Sequence, residues 1–219
     1  MITIAIDGPS GSGKSTVAKK IAKLLNIYHV NVGELYRAIG VYLYEHNINA
    51  RSEEEVSKVL DDININVEFL NNEQINLVNG EGVNHKLHTP IASDYSSQCS
   101  PLKIVREKVK KIQQDIASKY SIVMEGRDIT TEVLPNAKYK FFVTASPETR
   151  AKRRLEELVA KGINRTYDEV YADIVERDYR DTHRELSPLK LAADAIYIDT
   201  DKYSADEVVS IIYSKIEEV

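Results

Sequence analysis

The chain has 219 residues, of which 42% are hydrophobic and 29% charged, with a net charge of −5. That length allows one full domain with room for a sub-domain, and the composition excludes a disordered chain. About 70% of the unfolded surface can be buried at this size, so no disulfide or metal staple is required.

An apolar run through Ile2, Ile4 and Ile6 predicts a first strand. Lys14 to Leu25 follows as a helix, with Val17, Ile21, Leu24 and Leu25 on one face. Tyr28–Val30 predicts a short strand and Glu34–Glu45 a helix, placing Tyr36 and Arg37 in its first turn. Ser52 and Glu55 have capping-box spacing for a short helix. Ile63, Ile65, Val67 and Phe69 alternate with polar residues as a half-buried strand would. Asn71-Asn72 and Asn79-Gly80 then bound a second strand, Ile75–Val78, so a β hairpin interrupts the chain. Leu102, Val105, Val109, Ile112 and Ile116 mark a helix after Pro101. Ser121–Met124 and Tyr139–Thr144 predict strands, and Pro147–Lys161 a helix ended by Gly162. Thr166 and Glu169 cap another helix, reaching about Thr182. Ala195–Ile198 is the last strand and Ser204–Ile216 the last helix. Alternating strands and helices predict an α/β fold with one parallel sheet covered by helices.

No apolar run approaches the ~20 residues needed to cross a bilayer, and the first residues do not read as a secretory leader. Cys99 is the single cysteine, so an intramolecular disulfide is excluded, and a cytoplasmic protein is expected. With no broad apolar heptad face, a monomer is expected. The negative charge disfavours a partner such as polymeric nucleic acid. Seven of the eleven arginines nevertheless lie between Arg150 and Arg184, and such a cluster in an acidic chain points to a small polyanionic ligand.

Gly8-Pro9-Ser10-Gly11-Ser12-Gly13-Lys14-Ser15 fits G-x-x-x-x-G-K-[ST] between a predicted strand and a predicted helix. Glycines let successive N–H groups turn inward around phosphate oxygens, at a helix N-terminus that favours negative charge. Lys14 can then bridge β- and γ-phosphates, and the Ser15 hydroxyl can ligate Mg2+. The bland alternative is a glycine-rich turn with an incidental lysine. No N-K-x-D segment for guanine is present, and the chain is small for a motor or helicase.

Three other segments place charge at strand-to-helix junctions, where α/β proteins hold ligands. Asn31–Ala38 brings Tyr36 and Arg37; Met124–Asp128 brings Glu125, Arg127 and Asp128; Glu176–Arg184 brings Arg177, Asp181 and Arg184 at helical spacing. Taken singly they could be a surface arginine beside a packed tyrosine, a surface ion pair and a solvated salt-bridge ladder. The five histidines have no zinc-site spacing.

Together these segments resemble the bacterial cytidylate kinase family of nucleoside monophosphate kinases. The resemblance runs from Ile4 to about Asp199. It includes I-x-I-D-G-P-S-G-S-G-K-S-T at Ile4–Thr16, G-x-x-Y-R-A at Gly33–Ala38, S-S-Q at Ser96–Gln98 and V-R at Val105-Arg106. It continues with E-G-R-D-I at Glu125–Ile129, V-L-P-N-A at Val133–Ala137, T-A-S-P-E-x-R-A-x-R-R at Thr144–Arg154 and E-R-D-x-R-D at Glu176–Asp181. It implies a P-loop three-layer fold, with a core at about 1–30, 84–150 and 185–219. A monophosphate-binding region with a β insert would occupy about 31–83, and a helical lid about 151–184.

The implied activity is transfer of the γ-phosphoryl group of Mg·ATP to CMP or dCMP. The resemblance makes Gly8 to Thr16 the ATP loop, with Lys14 catalytic and Ser15 holding Mg2+. Arg150, Arg153 and Arg154 would close over ATP. Ser97, Arg106 and Asp128 would read cytosine; Tyr36, Arg37, Arg127 and Arg184 would hold the acceptor phosphate; Arg177 and Asp181 would contact its ribose. Lys14, Arg127, Arg177 and Arg184 form the implied catalytic group.

Two departures stand out. The family commonly has Asp-Thr-Gly or Asp-Ser-Gly where this chain has Asn31-Val32-Gly33, and a glycine where it has Thr130. They motivate two alternatives: another acceptor such as UMP, or a nucleotide-binding regulator without catalysis.

Overall fold

The computed structural model describes residues 1–217. In chain order its elements are β1 (Thr3–Asp7), α1 (Lys14–Leu25), β2 (Tyr28–Asn31), α2 (Val32–Glu45), α3 (Glu53–Val59), β3 (Ile65–Leu70), β4 (Glu73–Val78) and β5 (Glu81–Gly82). Then come α4 (Pro90–Cys99), α5 (Lys103–Lys119), β6 (Ile122–Gly126), β7 (Tyr139–Thr144), α6 (Pro147–Ala160), α7 (Tyr167–His183), β8 (Ile196–Asp199) and α8 (Ala205–Glu217). The larger sheet has five strands in the order β2-β6-β1-β7-β8, and a separate three-stranded sheet runs β3-β4-β5. β1 pairs parallel with β7, Ile6 opposite Phe141, and β7 pairs parallel with β8, Val143 opposite Ile198. The fold is the expected α/β architecture with a small β insertion.

The chain divides into two compact units, Ile27–Ile122 with Met1, and Ile2–Asn26 with Val123 onward. In the second, strands β1 and β7 are buried through Ile4, Ile6, Phe141 and Val143. The α1 face carrying Val17, Ala18 and Ile21 and the α8 face carrying Val208 and Ile212 are buried as well. α6 and α7 share a small apolar cluster of Ala151, Val170 and Ile174, flanked by Leu155, Leu158, Tyr167 and Tyr171. Gly162 ends the α6 segment with a φ of 72°. The capping box on α7 is complete: Glu169 N donates to the Thr166 hydroxyl, and Thr166 N to the Glu169 carboxylate.

The first unit differs from expectation in four places. Ser52 caps α3 by accepting from Glu55 N, but the Glu55 carboxylate accepts from Asn49 N, so only half a capping box forms. α2 starts at Val32, which moves Tyr36 and Arg37 from the first turn to the second. The hairpin gains a third strand, because Gly82 and Glu81 pair back onto Leu77 and Val78. α4 was not visible in the apolar pattern, since only Ala92 and Cys99 on it are buried. Its signal is local, with Thr89 as N-cap and Pro90 in the first turn. Cys99 is wholly enclosed, and burial pushes its thiol up to about 12.

An aromatic cluster braces β2 and β3. Tyr28 stacks on Phe69 at 4.2 Å between ring centroids, and Tyr120 meets both rings edge-on. Nearby, α2 and α4 pack in close contact at Gly40. A Cβ there would lie 2.8 Å from the backbone nitrogen of Ser96. Gly40→Ala must therefore push α4 away, at a cost of about 1–3 kcal/mol. A fall in the urea midpoint checks this; an unchanged midpoint would contradict the close packing.

Candidate active site

The phosphate loop joins β1 to α1 within the second unit. Gly8, Gly11 and Gly13 all take positive φ, 146°, 76° and 90°. Gly8 is also forced by close approach, because a Cβ would lie 1.9 Å from the Val143 carbonyl oxygen on β7. Pro9 and Ser12 are buried and Ser10 is half-buried, while Ser15 and Thr16 are exposed at the start of α1. Lys14 is only 4% exposed. Its ammonium donates to the Pro9 carbonyl at 2.6 Å and to the Ser12 hydroxyl at 3.3 Å. Both acceptors are uncharged. Burial first, then the charge of Arg127, holds this amine well below the usual lysine range, against the opposing pull of Glu125 and Asp7. A buried cation on neutral dipoles beside a helix N-terminus fits an anion with several oxygens.

Arg127, Arg177 and Arg184 converge on Asp181 in the same unit. Arg127 Nε donates to the Asp181 carboxylate at 2.9 Å, and its Nη1 to the Gly126 carbonyl at 3.2 Å. Arg184, at the end of α7, lies 3.9 Å from the other carboxylate oxygen and donates to the Ser187 carbonyl at 2.8 Å. Burial raises the pKa of Asp181, but the charges of Arg127, Arg177 and Arg184 outweigh it and leave the carboxyl below the ordinary aspartate range. Arg127 and Arg177 also act on Lys14, so loop and cluster share one electrostatic environment.

Asp128 is buried and opens a single π turn, Ile129–Val133, which the sequence pattern does not announce. Its cause is tertiary. Asp7 accepts from Ile129 N at 3.0 Å, Thr130 N at 2.7 Å and the Thr130 hydroxyl at 2.6 Å. Burial raises the pKa of Asp7, with these bonds opposing it. Thr130, the departure from the resembled family, thus supplies the third donor to a buried carboxylate.

The three expected lid arginines differ in setting. Arg150 is buried on α6 and holds Asp178 of α7 with both Nη atoms. Arg153 donates to the Thr200 hydroxyl and carbonyl at 2.9 and 3.1 Å, and the Thr200 hydroxyl donates to the Ser12 carbonyl at 3.2 Å. Arg154 is exposed and pairs with Glu157 at 2.9 Å. Asp7, Asp178 and Thr200 carry no role in the sequence pattern. An acid closing an apolar strand is the signal for Asp7, whereas no spacing marks Asp178 or Thr200.

Tyr36, Arg37, Ser97 and Arg106 belong to the first unit. Arg106 is buried on α5, with its guanidinium 5.9 Å from the Tyr36 ring centroid and Nη1 donating to the Ser100 carbonyl at 3.2 Å. Tyr36 and Arg37 are half-buried on α2, and Ser97 is exposed on α4. Asn31 and Val32 are explained by packing. Asn31 N donates to the Gln74 side chain at 2.7 Å, and its amide donates to Glu34 at 3.3 Å. Asn76 donates to the other Glu34 oxygen at 2.9 Å. Val32 is 4% exposed. The buried face of β4 is therefore largely polar, and Gln74 and Asn76 tie the small sheet to the start of α2.

A glycine-rich anion loop with a buried lysine, set between the first strand and first helix of an α/β fold, defines a P-loop nucleotide-binding protein. The sequence matches the cytidylate kinase family over residues 4–218. It is 45% identical over 208 residues to a protein named cytidylate kinase from Caldicellulosiruptor saccharolyticus, covering 95% of this chain and 92% of the relative. It is 45% identical over 218 residues to one from Clostridium perfringens, covering 99% and 98%. The chain belongs to the cytidylate kinase family. Its fold is similar to that of an uncharacterized protein from Eubacterium ventriosum, with a TM-score of 0.55 at 18% identity over 100% of both chains.

Because the folded pKa of Asp181 lies below its unfolded value, its stabilisation is complete above the ordinary aspartate range. It is lost as pH falls through the depressed value. Asp181→Asn should therefore give a shallower acid limb in a plot of melting temperature against pH. Equal steepness in both proteins would contradict the charge convergence.

Proposed function

We propose that this protein transfers the γ-phosphoryl group of ATP to CMP or dCMP, forming ADP and CDP or dCDP. The observation that carries the reading is Lys14, a buried ammonium with uncharged hydrogen-bond partners, acted on by Arg127 and Arg177, two of the three arginines that converge on Asp181. Phosphoryl transfer asks mainly for alignment and charge neutralisation, and such a cluster is suited to both.

In this reading the backbone of Gly8, Pro9, Ser10, Gly11, Ser12 and Gly13 holds the donor phosphates, with Lys14 on the β and γ oxygens and Thr16 in the same first turn. Ser15 would hold Mg2+, which when bound neutralises the β/γ oxygens; one exposed hydroxyl is a fitting ligand, because this ion keeps waters and takes phosphate oxygens. Arg37, Arg127 and Arg184 hold the acceptor phosphate with Tyr36, since guanidinium forks bind phosphate bidentately. Ser97, Arg106 and Asp128 read cytosine, whose amino group a carboxylate can accept. Arg177 and Asp181 serve its ribose. Arg153 has a guanidinium nitrogen 4.0 Å from where a Gly13 side chain would begin, and with Arg154 it belongs to the lid, about 151–184. Lid closure excludes the water that would otherwise take the phosphoryl group.

Asn31, Val32 and Thr130 have internal contacts that account for them, so no observation favours UMP or an inactive regulator. No described helix is long and apolar enough to cross a membrane. A cytoplasmic monomer acting on free nucleotides completes the proposal.

The test is ADP release from Mg·ATP with CMP, dCMP, UMP and AMP offered separately. CMP or dCMP should give the fastest release. Lys14→Ala should lower kcat by about 10²–10³-fold, the scale of losing one transition-state donor, with a smaller change in CMP affinity. Faster release with UMP, or none with any acceptor, would overturn the assignment.

A further inference from the structure

Arg150, expected among the residues that close over ATP, is held on several sides by protein groups. It is 2% exposed. Its Nε donates to the Ala145 carbonyl at 2.9 Å, and Nη1 to the Ser10 carbonyl of the phosphate loop at 3.3 Å. Nη1 and Nη2 also donate to the two carboxylate oxygens of Asp178 at 2.9 and 2.5 Å. Four of its five N–H donors are thus committed inside the protein. A Cβ on Gly11 would lie 3.3 Å from the Arg150 Cβ, so the stem of the side chain supports the loop as well.

Asp178 sits on α7 directly after Arg177 and one turn before Asp181. One side chain therefore ties the loop that carries Lys14 to the helix that carries Arg177 and Asp181. Arg153 and Thr200 fasten the loop a second time, at the Ser12 carbonyl. Planar, bidentate pairs fix orientation as well as distance.

We propose that Arg150 and Asp178 are positioning residues for phosphoryl transfer, holding the phosphate loop and α7 in one alignment. The inference rests on the kinase reading for its catalytic consequence, but its mechanical part does not depend on it. Displacing α7 at Asp178 should loosen the loop that Asp178 does not touch.

The test uses the full chain and the variants Asp178→Asn, Arg150→Lys and the double variant. Lysine keeps the charge at 150 and loses the fork. In nucleotide-free protein, Asp178→Asn should speed backbone amide exchange across residues 10–14 by about tenfold, as a local opening does, with β7 and α8 unchanged. In turnover, each single variant should lower kcat by about tenfold with the KM for ATP within about twofold. The double variant should be no worse than the worse single one, because Asp178 acts through Arg150 and Arg150→Lys already removes that pair.

Three results would overturn the proposal. The first is exchange confined to α7 or raised equally throughout. The second is unchanged kcat in both single variants of an active enzyme. The third is a KM for ATP raised about tenfold by Arg150→Lys with Asp178→Asn silent, which is the pattern of a direct donor contact. A wild-type protein without phosphoryl transfer would instead overturn the kinase reading, and the exchange result would stand alone.

Discussion

The burial of the Lys14 ammonium against uncharged partners is the constraint on which the rest depends. An ionised amine taken out of water is unfavourable unless something compensates it. Here the Pro9 carbonyl and Ser12 hydroxyl are its hydrogen-bond acceptors, and Arg127 works against it. Glu125 and Asp7 pull the other way but do not restore an ordinary lysine. The loop is thereby left short of negative charge, and a polyphosphate is the ligand chemistry that supplies it. Positive-φ glycines and the close passage of Gly8 beside β7 set the course of the loop around that cation, and the helix N-terminus adds to its demand for an anion.

Around it, carboxylates do structural work that their position in a nucleotide site would not by itself reveal. Asp181 gathers Arg127 and Arg184 into a fixed group. Asp7 clamps the π turn that follows Asp128, using Thr130 as an added donor. Asp178 takes both ends of the Arg150 fork. Each carboxylate orders a cation or a backbone turn, the kind of preorganisation by which sites can lower barriers. The same logic operates in the first unit, where Glu34 accepts from Asn31 and Asn76 and sets the start of α2.

The loop and most helices were legible because their signals are local. The Lys14–Leu25 helix and the Tyr139–Thr144 strand appear with the predicted ends, and Thr166 with Glu169 forms the predicted box. The misses fall where contacts distant in sequence decide the structure, except that α4 also carries a local signal in Thr89 and Pro90. The π turn at Ile129 exists because Asp7 reaches it from 122 residues away in sequence. α4 is held by backbone approach to Gly40 rather than by an apolar stripe. On β4 the polar residues Gln74 and Asn76 face inward, since each finds a partner. Arg150 shows the same limit within the site: the resemblance puts it beside the donor, while its partner Asp178 is fixed only by the packing of α6 on α7.

The most direct measurement is an NMR titration of the Lys14 ammonium, assigned by comparison with Lys14→Ala, in free protein and with ATP bound. The expected result is a pKa well below that of the other lysines in free protein, moving upward when ATP supplies negative charge. An ordinary lysine value that ATP leaves unmoved would contradict the desolvated cation at the centre of the site.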